Sequence, residues 1–190
     1  MIITSTEADK ARVTDTIVLG FAADPILRWL FPEAKEFLST FPTLMRLFGG
    51  RSFEHDSAYH LDSFSGAALW LPPNIHPDEE GLTTLFQEKF SGPMLEDIFS
   101  LFEQMDGFHP NEPFWHLTFI AVDPGQQRKG YGSVLLEHTL TPCDRDKKLA
   151  YLESTNPANL SLYQRYGFEL VGNIQAGTSP PLFPMIREPR

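Results

Sequence analysis

The sequence predicts an α/β domain with strands and helices layered about one core. The segment Trp115 to Val122 alternates as a strand, and a glycine-bearing loop then leads straight into an apolar helix. Helical periodicity fills most of the first hundred residues. At 190 residues the chain is a comfortable length for one domain, read here as residues 1–190. A composition 42% apolar and 21% charged fits an ordinary globular protein and excludes a disordered tail, a collagen or a coiled coil. The net charge of −10 argues against a nucleic-acid binder with a basic face. Cys143 is the only cysteine, which excludes an internal disulfide and a thiolate metal cage. Its longest strongly apolar run, Ile17 to Ala23, is too short to span a membrane. Glu7 and Asp9 precede any long apolar stretch, so the chain reads as soluble and cytoplasmic, with no secretory signal.

Taken in order, Ile2-Ile3 reads as a short strand entering a helix capped by Thr4 or Thr6, with Val13, Ile17 and Phe21 on its buried face. Asp24-Pro25 reads as an N-cap with proline at the first helical position, opening a segment from Ile26 to Phe31. Helix is expected over Lys35 to Phe48, broken or kinked at Pro42 and closed by a left-handed Gly49-Gly50 cap. Ala58 to Leu61 and Ala67 to Leu71 read as a hairpin around Asp62 to Gly66. Helices are expected from Glu79 to Phe90 and from Met94 to Met105, the latter with Ile98, Leu101, Phe102 and Met105 on one face. In the strand Trp115 to Val122, strict alternation puts Trp115, Leu117, Phe119 and Ala121 on one face and His116, Thr118, Ile120 and Val122 on the other. A helix over Gly130 to Leu140, a strand over Ala150 to Ser154 and a helix over Asn159 to Tyr166 follow. Phe168 to Ile174 and Leu182 to Ile186 complete the strands.

The stretch Val122-Asp123-Pro124-Gly125-Gln126-Gln127-Arg128-Lys129-Gly130-Tyr131-Gly132-Ser133 carries the chemistry. Glycines between a strand and a helix leave backbone N–H groups uncovered beside the positive end of the helix dipole, which suits a phosphate or pyrophosphate. The Walker A pattern fails because Tyr131-Gly132 follows Gly130, and the dinucleotide fingerprint fails at Leu135. What remains, Gln127-x-x-Gly130-x-Gly132, resembles the acetyl-CoA pyrophosphate loop of the GNAT superfamily of N-acetyltransferases. Tyr151-Leu152-Glu153-Ser154 followed by Asn159 and by Tyr163-x-x-x-Gly167-Phe168 resembles that family's second block, in the family's order. Glu112-Pro113-Phe114-Trp115, Gly66 to Trp70 and Asn159 to Tyr163 look like the puromycin N-acetyltransferase-like branch. The likeness is close from about Pro110 to Phe168 and thin before it.

The resemblance implies a GNAT fold: a mixed central sheet of about six to seven strands, splayed at the acetyl-CoA site and flanked by helices. It implies acetyl-CoA as cosubstrate, with the pantetheine arm along Ile120, Ala121 and Val122, where this strand parts from Tyr151 to Ser154. It implies the pyrophosphate on Gln127, Arg128, Lys129, Gly130, Tyr131, Gly132 and Ser133, and a ternary complex with direct attack and no acetyl-enzyme. Tyr163 matches the general acid towards the departing thiolate, whose pKa of about 8.5 lies near the phenol's value of about 10. Asn159, one turn earlier, reaches the pantetheine, and Asn156 fits the position used in other branches. Glu153 and His116 are the two candidates for the base, and a water chain is a third route. Tyr166 reads as a core aromatic, Cys143 lies away from the motifs, and the remaining histidines show no metal-ligand spacing. Asp97, Glu103, Asp106 and Glu112 read either as attracting a cationic amine or as solvated faces.

The expected function is an acetyl-CoA-dependent N-acetyltransferase acting on a primary amine of a small molecule, with no nucleic acid, membrane or metal involved. The resemblance also admits a homodimer. Two alternatives stay open: a protein or peptide acceptor, and an acyl-CoA sensor without turnover.

Overall fold

The computed structural model describes all 190 residues. Its frame is a seven-stranded sheet of β1 (Ile2–Thr4), β2 (Ala58–Leu61), β3 (Gly66–Leu71), β4 (Trp115–Val122), β5 (Ala150–Ser154), β6 (Glu169–Leu170) and β7 (Phe183–Arg187). The order across the sheet is β1-β2-β3-β4-β5-β7-β6, and every pair is antiparallel except β4 with β5. One face carries α1 (Lys10–Gly20), α2 (Pro25–Leu30), α3 (Ala34–Gly49), α4 (Glu79–Lys89) and α5 (Gly92–Phe108); the other carries α6 (Tyr131–Thr139), α7 (Thr141–Asp146) and α8 (Leu160–Arg165). Each face buries its own apolar layer, as a mixed sheet with helices on both sides requires. No helix is long and apolar enough to cross a membrane.

The sequence-based boundaries hold for β2, β4 and β5, and several others shift. The first helix begins at Lys10, after a short 3-10 turn in which Thr6 and Asp9 close a capping box. Asp24 caps α2 as expected, its side chain accepting the Leu27 N–H at 3.1 Å. The long helix α3 runs through Pro42 without a break. No left-handed cap closes it, because Gly49 has φ −129° and Gly50 −67°. Gly49 answers a packing need instead: a Cβ there would stand 2.5 Å from Thr118 Oγ1 and 3.0 Å from the Phe119 ring. Helix α5 extends beyond the expected segment at both ends, α7 was not foreseen, and β6 keeps only two residues.

The largest correction concerns β4. Leu69 pairs with Phe119 but Trp70 pairs with Leu117, so Thr118 is an extra residue, a β-bulge, and its hydroxyl donates to the Leu69 carbonyl at 3.1 Å. Strict alternation fails there. His116 contacts Phe48, and Phe119 and Ala121 join the same α1–α5 layer, whereas Trp115 and Leu117 share the opposite layer with Ile120 and Val122. The end of α3 sits directly over this bulge, which explains the glycine.

Because that contact has no room for a methyl group, Gly49→Ala should destabilise the protein by about 1–3 kcal/mol, despite alanine's better helix propensity. Chemical denaturation of the two proteins measures this; an unchanged midpoint would show that the bulge can yield.

Candidate active site

The parallel pair β4–β5 is bridged only at Trp115–Ala150 and His116–Tyr151. Beyond those pairs the strands part, so Leu117 to Val122 and Leu152 to Ser154 face one another with no ladder between them. Backbone groups on these inner edges are donors and acceptors awaiting a partner. The parting opens into a chamber of about 870 Å³ that runs from the loop before α6, between the strands, to the helices of the other face.

At the loop end, Gly130 is the N-cap of α6 with φ 84°, a conformation glycine adopts without strain. The first helical bond is Val134 N–H to the Gly130 carbonyl, and the N–H groups from Gln127 to Ser133 have no backbone acceptor. Gln127, Arg128, Gly130, Tyr131, Gly132 and Ser133 line the chamber. Lys129 does not; its ammonium donates to Gln126 Oε1 at 2.7 Å. Uncovered N–H groups at the start of a nine-residue helix fit a pyrophosphate.

Along the parting, Ile120, Ala121, Val122, Asn156, Asn159 and Tyr163 all line the chamber. The Asn156 side chain is engaged as a cap, accepting the Ala158 N–H at 3.0 Å. Tyr163 is buried on α8 and its hydroxyl has no protein hydrogen-bond partner. Burial, and secondarily the Asp24 charge, raise its pKa. Tyr166 packs against the α6–α8 layer, and Cys143 is buried with its thiol pushed up to about 12 by desolvation.

The structure brings Glu153 and His116 together but separates their surroundings. Glu153 lines the chamber, whereas His116 lines a second cavity of about 390 Å³ beneath α4 and α5. His116 Nε2 lies 2.9 Å from Glu153 Oε2, and His109 Nε2 lies 3.4 Å from Oε1, an ion-pair approach rather than a formed hydrogen bond. Burial alone would raise the Glu153 carboxyl, but the two histidines outweigh it and hold the carboxyl down to about 2. For His109, burial opposes the charge, and the Glu153 carboxylate outweighs it, with Asp106 and Glu79 adding to a raised pKa. His109 was not singled out from sequence; its place seven residues before His116, across a two-proline loop, was the only signal. Asp106 and Glu112 line the second cavity, and neither Asp97 nor Glu103 lines the chamber.

Sequence reasoning also missed the chamber role of Asp24. It is 8% exposed, lines the chamber, and accepts hydrogen bonds from Leu27 N–H and from the Thr155 hydroxyl. No lysine, arginine or histidine pairs with it. Burial raises its pKa, only partly countered by those hydrogen bonds. Its sequence signal, Asp-Pro, announced the cap and nothing more.

The Glu153 contact sets a pH signature. A carboxyl depressed on folding contributes stability above its unfolded pKa of about 4.3, and this is lost as the pH falls towards the folded value. A histidine raised on folding contributes stability below about 6.5, lost as the pH rises through the folded value. The melting temperature of the wild type should therefore fall from about pH 4.3 downward more steeply than that of Glu153→Gln. Parallel curves would show that the histidines do not hold this carboxylate.

Residues 99–170, from α5 to β6, match a family model described as an acetyltransferase (GNAT) domain. An uncharacterized N-acetyltransferase of Schizosaccharomyces pombe is 26% identical over 211 residues, covering 95% of this chain and 80% of that protein. Among solved structures, one described as histone acetyltransferase HPA2 and related acetyltransferase, from Corynebacterium glutamicum, superposes with a TM-score of 0.71 at 23% identity, covering 100% of this chain and 96% of that one. Arylalkylamine N-acetyltransferase 2 from Aedes aegypti superposes with a TM-score of 0.68 at 14% identity, covering 100% and 99%. These structures share the fold, and the matched segment contains the parted strands, the loop before α6 and Tyr163. Residues 99–170 are therefore similar to a GNAT acetyltransferase domain, and with the N-acetyltransferase relative this supports an acetyltransferase enzyme.

Proposed function

We propose that this enzyme transfers the acetyl group of acetyl-CoA to a primary amine of a small molecule, by direct attack in a ternary complex. The observation that carries this reading is the shared chamber: uncovered N–H groups at one end, parted strand edges in the middle and a helix-covered apolar space at the other. Gln127, Arg128, Gly130, Gly132 and Ser133 would hold the pyrophosphate, and the inner edge of β4 from Ile120 to Val122 would hold the pantetheine amides. A backbone N–H near the bulge would steady the thioester oxygen. Acetyl-CoA supplies the activated acyl group. Tyr163 would return a proton to the thiolate, its unbonded hydroxyl being placed beside the parting.

The acceptor end favours a small molecule over a protein tail. Phe48 of α3, Leu82 and Phe86 of α4, and Leu101 and Phe102 of α5 wall it, and such a helical cover suits an enclosed ligand better than an extended chain. Asn159-Leu160-Ser161-Leu162-Tyr163 and Glu112-Pro113-Phe114-Trp115 support a place in the puromycin N-acetyltransferase-like branch.

Isothermal titration with acetyl-CoA, followed by an amine panel with a free-thiol readout, tests the assignment. Micromolar binding and thiol release on a small amine are expected; absence of binding would remove the cofactor site. Gly130→Asp, which sets a negative charge and a strained φ at the loop, should weaken acetyl-CoA binding on the order of tenfold or more. Tyr163→Phe should bind acetyl-CoA normally while kcat falls on the order of 10²-fold; unchanged turnover would take the acid role from Tyr163.

A further inference from the structure

The chamber holds two carboxylates, and their surroundings divide the labour. Glu153 is already engaged: Oε2 is bonded to His116, and Oε1 is sealed from solvent and faces His109. Asp24 sits at the mouth of α2, bound only by neutral donors, Thr155 and the Leu27 N–H, and it faces no cation. Its charge acts on Tyr163 across the chamber. Among the lining residues the only basic groups are Arg128 of the loop before α6 and Arg165 of α8. The walls towards the acceptor end are Phe21, Trp29, Phe48, Phe86, Phe102 and Met105.

Resting on the function proposed above, we infer that Asp24 rather than Glu153 receives the acceptor's ammonium and its proton, and that the acceptor is a monocationic primary amine on an apolar, ring-sized body. A buried carboxylate without a cation is left uncompensated until a cationic group enters. One such carboxylate in an aromatic chamber matches one ammonium with an apolar remainder, and a polyamine would bring a second cation with no partner.

The step balances. The ammonium gives one proton to the Asp24 carboxylate, and the freed lone pair forms the new C–N bond as the C–S bond breaks. The nitrogen's second surplus proton replaces the one that Tyr163 delivers to the thiolate. Asp24 releases its proton to water when the products leave, so each turnover yields one amide, one thiol and one proton. Protonating Asp24 also removes the negative charge that opposes ionisation of Tyr163, which prepares the acid for the second transfer. Glu153 of β5, tied to its histidines, and Tyr163 of α8 are the titratable groups that face this step.

The test compares wild type, Asp24→Asn and Glu153→Gln with 2-phenylethylamine, putrescine and agmatine. Asparagine caps a helix as well as aspartate, so the variant should keep the fold and bind acetyl-CoA with wild-type affinity. The expected result is a loss in kcat/KM on the order of 10²-fold for Asp24→Asn and under about tenfold for Glu153→Gln. The pH dependence of kcat/KM should lose its lower limb only in Asp24→Asn, and 2-phenylethylamine should be preferred over both diamines. Wild-type kcat/KM in Asp24→Asn, or the larger loss in Glu153→Gln, would overturn the assignment of Asp24. A preference for the diamines would overturn the acceptor class alone. Acetyl-CoA binding by wild type with no thiol release on any amine would instead overturn the transferase reading on which both rest.

Discussion

The parting of β4 from β5 is the constraint on which the rest of this structure depends. Two central strands that run parallel would ordinarily pair along their length, since unpaired backbone groups inside a protein are costly. Here they pair twice and separate. The bulge at Thr118 increases the twist of β4 at the point of separation, and α3 presses on it through Gly49. On the other side β5 stays fully paired with β7, so the gap is held open from both flanks. A slot lined by unpaired edges suits a ligand that carries amides of its own.

The two ends of that slot are made by different physics. Towards α6 the backbone does the work, through exposed N–H groups and a left-handed glycine that no side chain obstructs. Towards α3, α4 and α5 the side chains do it, with largely apolar walls and with Asp24 and Glu153 as the only carboxylates of the lining. Glu153 is buried, and the two histidine rings beside it hold its carboxyl well below the usual range. Asp24 is buried with neutral donors and is free to respond to a ligand.

What the sequence disclosed follows from how local each signal is. The bounds of β4 and β5, the loop from Gln127 to Ser133 leading into α6 and the Asp24 cap are written in neighbouring residues and are found where expected, although the alternation within β4 fails at Thr118. The bulge at Thr118 is invisible locally because it exists only in the register with β3. The same holds for Gly49, whose reason is a strand nearly seventy residues later in the sequence rather than a helix cap. Asp24 meets Thr155 across 131 residues, and His109 meets Glu153 only because the loop after α5 folds back. Acceptor chemistry was therefore the least legible part, since it is assembled by contacts between distant segments.

The most direct measurement is a crystal structure of the protein with coenzyme A bound. The account predicts the pyrophosphate on the N–H groups between Gln127 and Ser133, and the pantetheine amides paired with β4 between Ile120 and Val122, β4 and β5 remaining apart. Coenzyme A bound elsewhere, or β4 and β5 zipped together along their length, would contradict it.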